Sequence, residues 1–264
     1  MTNLPVDRLA ELRAPAHWQA VDFISDLHLH PGEPQTLGAW WRYLERPPEE
    51  RADALFILGD LFEVWVGDDA LENPDSFGAL CARQLHQHSI DTPVFFMCGN
   101  RDFLVGPSAL SACGMQGLDD PTVLEFMGAR WLLSHGDALC LDDTDYLAFR
   151  AMVRSAEWQR SFLAQPLAQR EAVARDLRER SEARKKSLAH DPALWADVDA
   201  EEARRWLRAA GAATLIHGHT HRPATHDLGE GLQRVVLSDW DAAATPARLD
   251  ILRLSHSGFS HLRP

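Results

Sequence analysis

Ala54-Leu55-Phe56-Ile57-Leu58-Gly59-Asp60 is an unbroken apolar run that ends at once in a glycine and a carboxylate. A run of this length reads as a strand buried on both faces, and the glycine permits a tight turn with close approach of its neighbours. The same design recurs along the chain. Val21–Ile24 leads into Ser25-Asp26-Leu27-His28, and Val94–Cys98 into Gly99-Asn100-Arg101-Asp102. Arg130–Leu133 leads into Ser134-His135-Gly136-Asp137, and Thr214–Ile216 into His217-Gly218-His219-Thr220-His221. Five loops therefore carry oxygen donors and imidazoles at apparent strand ends, the edge where open α/β sheets usually keep their sites.

Working outward, Val123–Phe126, Arg234–Leu237 and Leu249–Leu254 add further strands. Helical patterns lie between them at Gln35–Leu44 and Phe77–His88; in the second, Phe77, Leu80, Cys81 and Leu85 share one face. This alternation predicts an α/β layered fold, and the later antiparallel-looking strands make the sheet mixed. Residues 142–197 differ in character. Leu147, Phe149, Met152, Val153, Trp158, Phe162, Leu163, Leu167, Val173 and Leu177 recur at helical intervals, and the end turns basic with Arg175, Arg178, Arg180, Arg184, Lys185 and Lys186. The stretch is expected to be a helical cap inserted between the His135 and His219 loops, overhanging the site as lids do. The core is expected over residues 19–141 and 198–264, with 1–18 as an N-terminal extension.

With 264 residues the chain can bury a full core, and its formal charge of −13 argues against a nucleic-acid partner. Cys81, Cys98, Cys113 and Cys140 form no C-x-x-C pair and are expected as free thiols of a reducing cytoplasm. Met1–Trp18 has no apolar h-region and is not read as a signal peptide. No apolar run approaches the roughly 20 residues of a spanning helix, so any bilayer contact is expected to be peripheral.

Asp26 and His28 leave their strand with alternate side chains pointing one way, which lets both hold one ion. The Asp60 carboxylate has two oxygens and can bridge two cations, which an imidazole cannot. Asn100 adds a neutral carbonyl, and His135, His219 and His221 complete a mixed nitrogen and oxygen set suited to Mn, Fe, Zn or Co. Two ions about 3.5–4 Å apart hold a hydroxide between them and neutralise phosphoryl oxygens during in-line attack. There is no G-x-S-x-G elbow, Walker-type loop or G-x-G-x-x-G to supply a competing chemistry.

The order D-x-H, G-D, G-N, H, G-H-x-H resembles the calcineurin-like metallophosphoesterases. The longer strings Gly59–Asp69, Gly99–Leu104, His135–Asp143 and Ile216–Pro223 closely resemble the UDP-2,3-diacylglucosamine pyrophosphatases of lipid A biosynthesis. The likeness spans roughly Asp22 to Leu254, leaving Met1–Trp18 and the tail outside. It implies a sandwich of two mixed β-sheets flanked by helices, with the inserted cap. It also implies two Mn2+ per chain, the first on Asp26, His28, Asp60 and His221 and the second on Asp60, Asn100, His135 and His219. His217 would be a neighbour rather than a ligand. Asn100, Arg101, Asp143, Ser181, Lys185, Lys186 and His219 would contact the substrate UDP-2,3-diacylglucosamine. Water attack on its pyrophosphate would give UMP and 2,3-diacylglucosamine 1-phosphate, at the cytoplasmic face of the inner membrane of a Gram-negative bacterium, with no obligate protein partner.

Many relatives read Gly-Asn-His at the third motif, where this chain has Arg101. An alkoxide leaving group needs a proton from that histidine. A phosphate monoester, with a second pKa of about 6, does not. A guanidinium matched to phosphate oxygens therefore suits pyrophosphate cleavage, and Arg101 is expected to bind phosphate rather than donate a proton. Phe149, Met152, Val153, Trp158 and Phe162 are expected to line an acyl groove or to pack the cap. The alternative reading is a soluble phosphodiesterase acting on a nucleotide or other phosphodiester. A catalytically silent scaffold would have lost metal donors, and none is missing.

Overall fold

The computed structural model describes residues 9–188 and 196–264, with backbone alone for 180–188. Two six-stranded mixed sheets face each other. The first orders β12 (Gly258–Leu262), β11 (Ile251–Ser255), β2 (Ala20–Ile24), β3 (Ala54–Leu58), β4 (Val94–Met97) and β5 (Met115–Leu118). The second orders β1 (Ala10–Arg13), β6 (Thr122–Phe126), β7 (Ala129–Ser134), β8 (Thr214–His217), β10 (Leu232–Val236) and β9 (Ala224–Gly229).

Period-two alternation sorts each central strand between two cores. Leu55 and Ile57 of β3 face outward and pack with residues of α1 (Pro34–Leu44), α2 (Phe77–Ser89) and α3 (Pro107–Cys113). Phe56 and Leu58 face inward and meet Leu124, Leu133 and Ile216 of the other sheet. The inner layer is aromatic, with the Phe56 and Phe95 rings stacked at 4.8 Å and Phe23 at 5.2 Å from Phe56. On the far side, Leu132 and Leu215 pack against α7 (Ala200–Ala210) through Ala203, Trp206 and Leu207. Asp199 caps α7 by accepting from the Glu202 N–H, and Gly211 ends it in the left-handed conformation. Each large apolar side chain buried in these layers contributes roughly 1.5–3 kcal/mol relative to exposure.

Residues 10–13, set ahead of the core in the sequence reading, form β1 and pair in parallel with β6 from Ala10↔Thr122 to Arg13↔Glu125. Trp18 is buried beside Phe95. The four residues Ala-Glu-Leu-Arg hold only two repeats of the alternation, too short a run to separate an edge strand from a loop. Between β7 and α7 the described residues hold three α-helices, α4 (Thr144–Val153), α5 (Ala156–Leu163) and α6 (Leu167–Leu188). None of the described helices is long and apolar enough to cross a membrane. All four cysteines are free.

Candidate metal centre

Strands β2, β3 and β4 run parallel, with Ile24 opposite Ile57 and Leu58 opposite Met97, so their carboxyl ends deliver Asp26, Asp60 and Asn100 to one edge. Parallel β7 and β8 deliver His135 and the His217–His221 loop to the same edge from the other sheet. Backbone bonds lace the loops together. The Asp26 N–H donates to Gly59 O at 3.0 Å, His28 N–H to Asp60 O at 3.0 Å and Gly218 N–H to His135 O at 3.0 Å. The approach is close enough to demand glycine. A Cβ on Gly99 would lie 2.1 Å from Asp60 Oδ1, and one on Gly59, whose φ is +90°, would lie 2.5 Å from His135 Nδ1.

The backbone at the site is itself unusual. Asp26, His28, Asp60, His219 and His221 all have φ between 48° and 65°, a region that costs a non-glycine residue about 1–2 kcal/mol. Such outliers persist where the surroundings over-determine them, as at active sites. Here the surroundings include Asp102, fully buried, whose carboxylate accepts from the backbone N–H groups of Asp60 (3.3 Å), Leu61 (2.8 Å), Phe62 (3.3 Å) and Gly99 (2.8 Å). One side chain thus clamps the second loop to the third.

The seven expected donors converge. Asp26 Oδ1 lies 3.2 Å from His221 Nε2, and His221 Nε2 lies 3.3 Å from His28 Nε2. Asp60 reaches both halves, with Oδ2 at 3.9 Å from His28 Nε2 and Oδ1 at 3.8 Å from His135 Nε2. Asn100 Oδ1 sits between His135 Nε2 at 3.0 Å and His219 Nδ1 at 2.9 Å. Three of the imidazoles are held from behind by an oxygen. His135 Nδ1–H donates to Leu58 O at 2.9 Å, His28 Nδ1 is 3.0 Å from Glu63 Oε2, and His221 Nδ1 is 3.7 Å from Asp239 Oδ2. The Leu58 bond fixes the His135 tautomer, and with an oxygen on the Nδ1 side of all three rings each Nε2 faces into the cluster, the arrangement usual for metal-binding histidines. Asp26, His28 and His221 form one group with ligand atoms within 4.8 Å of one another, and Asp26, Asp60 and His135 form a second.

The electrostatics point the same way. Burial opposes protonation of His135, yet Asp60, Asp137 and Asp26 outweigh it and bring that imidazole up to about 9. Burial likewise opposes ionisation of Asp26, but His221, His135 and His28 hold it well below the usual carboxylate range. The carboxylates therefore favour positive charge on His135, while burial and that neighbouring imidazole take His219 down to about 4. His217 is different: buried, it donates from Nδ1 to Gly218 O while Arg234 faces its Nε2, and burial takes it down to about 3. Its ring is engaged away from the cluster.

The residues expected to meet substrate are less uniformly gathered. The Arg101 N–H donates to Asp60 Oδ1 at 2.8 Å, and its guanidinium lies 3.7 Å from Glu63 Oε1 in a groove lined also by His28, His221, Asp239 and Arg248. Asp143 caps α4, accepting from the Tyr146 N–H at 3.1 Å. Ser181, Lys185 and Lys186 fall on the stretch of α6 whose side chains lie outside the described residues. Of the apolar side chains expected at an acyl groove, Val153 and Phe162 are buried, Trp158 stacks on Phe162 at 4.6 Å and neighbours Phe103, and Met152 is half-exposed. Sequence reasoning missed Glu63, Asp239 and Asp137. The last, fully buried, receives Tyr146 Oη–H at 2.5 Å and Arg150 Nε–H at 2.8 Å, while Arg154 donates to Gly99 O at 2.9 Å, so α4 is pinned to two of the motif loops. The Tyr146 ring lies over His219, 5.9 Å between centroids.

Two facing sheets with carboxylates and imidazoles gathered at one edge define a metal-dependent phosphoester hydrolase, and a family model of calcineurin-like phosphoesterases matches residues 20–223. A UDP-2,3-diacylglucosamine hydrolase of Chromobacterium violaceum is 46% identical over 228 residues, covering 84% of this chain and 90% of the relative. Proteins of the same name from Xanthomonas axonopodis pv. citri (45% over 236 residues, 86% and 94% covered) and Cellvibrio japonicus (44% over 234 residues, 84% and 95%) are similar throughout. The chain belongs to the calcineurin-like phosphoesterase family, among the UDP-2,3-diacylglucosamine hydrolases. Family and donor groups together indicate a dinuclear metal site.

Proposed function

We propose that this chain hydrolyses the pyrophosphate of UDP-2,3-diacylglucosamine, adding water across the P–O–P bridge to release UMP and 2,3-diacylglucosamine 1-phosphate. The observation that carries the reading is the set of backed imidazoles, His28, His135 and His221, whose Nε2 atoms face Asp26, Asp60 and Asn100. The names of the relatives support the substrate. Asp26, His28, Asp60 and His221 would hold one Mn2+, and Asp60, Asn100, His135 and His219 the other. When bound, the pair of ions supplies an activated water and neutralises charge on the phosphoryl oxygens.

The chain's own residues do the rest. Arg101, anchored through its backbone to Asp60, presents its guanidinium to the substrate phosphates. No group is required to protonate the leaving group, because a phosphate monoester departs as an anion near neutral pH. Helices α4–α6 would act as a cap over this edge, with Asp143 as a polar contact to the nucleotide sugar and Ser181, Lys185 and Lys186 as further candidates outside the described side chains. The exposed apolar side chains Met152, Leu163, Val173 and Leu177 on α4–α6 support a place at the lipid surface, where the acyl substrate resides. That surface would be the inner membrane's cytoplasmic face.

The deciding experiment scores UMP release from UDP-2,3-diacylglucosamine by metal-stripped protein with and without added Mn2+. Manganese-dependent UMP is expected. Bound manganese with turnover of a generic phosphodiester and no UMP would overturn the lipid substrate. Arg101→Ala is expected to lower turnover on the pyrophosphate by roughly 10²-fold, the usual cost of one oxyanion-stabilising donor, with manganese content unchanged. Loss of manganese from this variant would overturn its assigned role.

A further inference from the structure

We propose that Glu63 is a positioning residue that holds the His28 ring and couples it to two arginines, Arg101 in the third loop and Arg178 on α6. The inference rests on the dinuclear reading above. Three distances carry it. Glu63 Oε2 lies 3.0 Å from His28 Nδ1, while Oε1 lies 3.2 Å from Arg178 Nε and 3.7 Å from Arg101 Nη1. The carboxylate is itself fixed: the side chain is 9% exposed and the Glu63 N–H donates to Leu29 O at 3.2 Å, next to the bridge between Leu29 and Phe62.

Each oxygen has a separate duty. Standing 3.0 Å behind Nδ1, Oε2 keeps the ring turned so that His28 Nε2 faces Asp26, Asp60 and His221. By facing two guanidinium groups, Oε1 ties the third loop to α6. A second contact shows that α6 is docked along the same segment. Arg170, almost completely buried, donates to Val66 O and to the Asp69 carboxylate, and a Cβ on Gly67 would meet its Nη1. Arg170 and Arg178 are eight residues apart, just over two helical turns, so one face of α6 lies against residues 63–69. Glu63 is the point in that seam that also touches a metal donor. The placement of α6 is thereby linked to the geometry of His28 and to the phosphate-facing Arg101.

The test is direct Mn2+ binding to metal-stripped protein together with steady-state kinetics on UDP-2,3-diacylglucosamine. Glu63→Ala is expected to weaken Mn2+ binding on the order of 10–100-fold, the usual cost of losing the partner behind a ligating histidine. Glu63→Gln, which keeps an oxygen of the same reach behind Nδ1, should weaken it less while raising KM through loss of charge at Oε1. Arg178→Ala should raise KM and leave Mn2+ affinity at the wild-type value, a split that a general packing defect would not produce. The proposal is overturned if a folded Glu63→Ala binds Mn2+ as the wild type does. It is equally overturned if Arg178→Ala weakens Mn2+ as strongly as Glu63→Ala. Should the alanine variant fail to fold, Glu63→Gln with wild-type Mn2+ affinity and wild-type KM overturns it. A wild-type protein that takes up no Mn2+ removes the dinuclear reading and this inference together.

Discussion

Asp60→Ala is expected to lose nearly all turnover and to retain at most one of the two ions. The effect should exceed the roughly 10–100-fold typical of losing a partner behind a ligating histidine, because this carboxylate itself reaches toward both His28 and His135. Its Oδ1 also accepts the Arg101 N–H, so the same substitution frees the residue proposed to meet the phosphates. The fold should survive. The loop after β3 is held by the Asp102 carboxylate and by bonds from Asp26 and His28 to Gly59 and Asp60 carbonyls, none of which uses the Asp60 side chain. Asp60 has a positive φ, which asparagine tolerates better than alanine, so Asp60→Asn separates backbone strain from lost charge. Metal stoichiometry, circular dichroism and UMP release on both variants decide the matter. Wild-type turnover, or two ions retained by Asp60→Ala, would sink the bridging assignment.

Asp102→Ala is expected to produce the largest loss of stability at this edge. Removing the carboxylate strands four buried N–H donors, those of Asp60, Leu61, Phe62 and Gly99. A buried donor left unsatisfied costs about 1–3 kcal/mol, and because the four share one acceptor their losses do not add in full. A net destabilisation of about 3–5 kcal/mol corresponds, in a chain of this size, to a fall of roughly 10 °C in Tm. Asp102→Asn should fall between, since its amide oxygen accepts some of these bonds while its NH2 opposes the others. Thermal unfolding of metal-stripped protein isolates this effect from metal binding. An alanine variant that melts with the wild type would show that the clamp is redundant.

These two aspartates mark how far the sequence could be read. Asp60 was legible because an apolar run stops at it, and the same is true of Asp26, Asn100, His135 and His219. Strands β2, β3, β4 and β8 are buried along nearly their whole length, as is the end of β7 that leads into its loop, so these runs stand out with the loops that follow them. Asp102 lies in a quoted motif, yet its work is to bind amides of a loop some forty residues away, which leaves no local period. Glu63, Asp137 and Asp239 are hidden for the same reason. Their partners His28, Arg150 and His221 are set by how the loops pack. The edge strand β1 and the short β5 were missed because Ala-Glu-Leu-Arg and Met-Gln-Gly-Leu carry too little alternation to register. Sequence alone also could not show that the arginines of α4 and α6 fasten those helices to the motif loops.

The aromatic layer between the sheets has a consequence for the chemistry. Asp26, Asp60 and Asn100 stand on one sheet and His135, His219 and His221 on the other, so the gap across the donor set is spanned by the same stack of Phe23, Phe56, Phe95, Leu133 and Ile216 that holds the sheets apart. Those rings act as a spacer gauge. Side-chain volume deep in the sandwich thus bears on how far apart the two sets of donors stand.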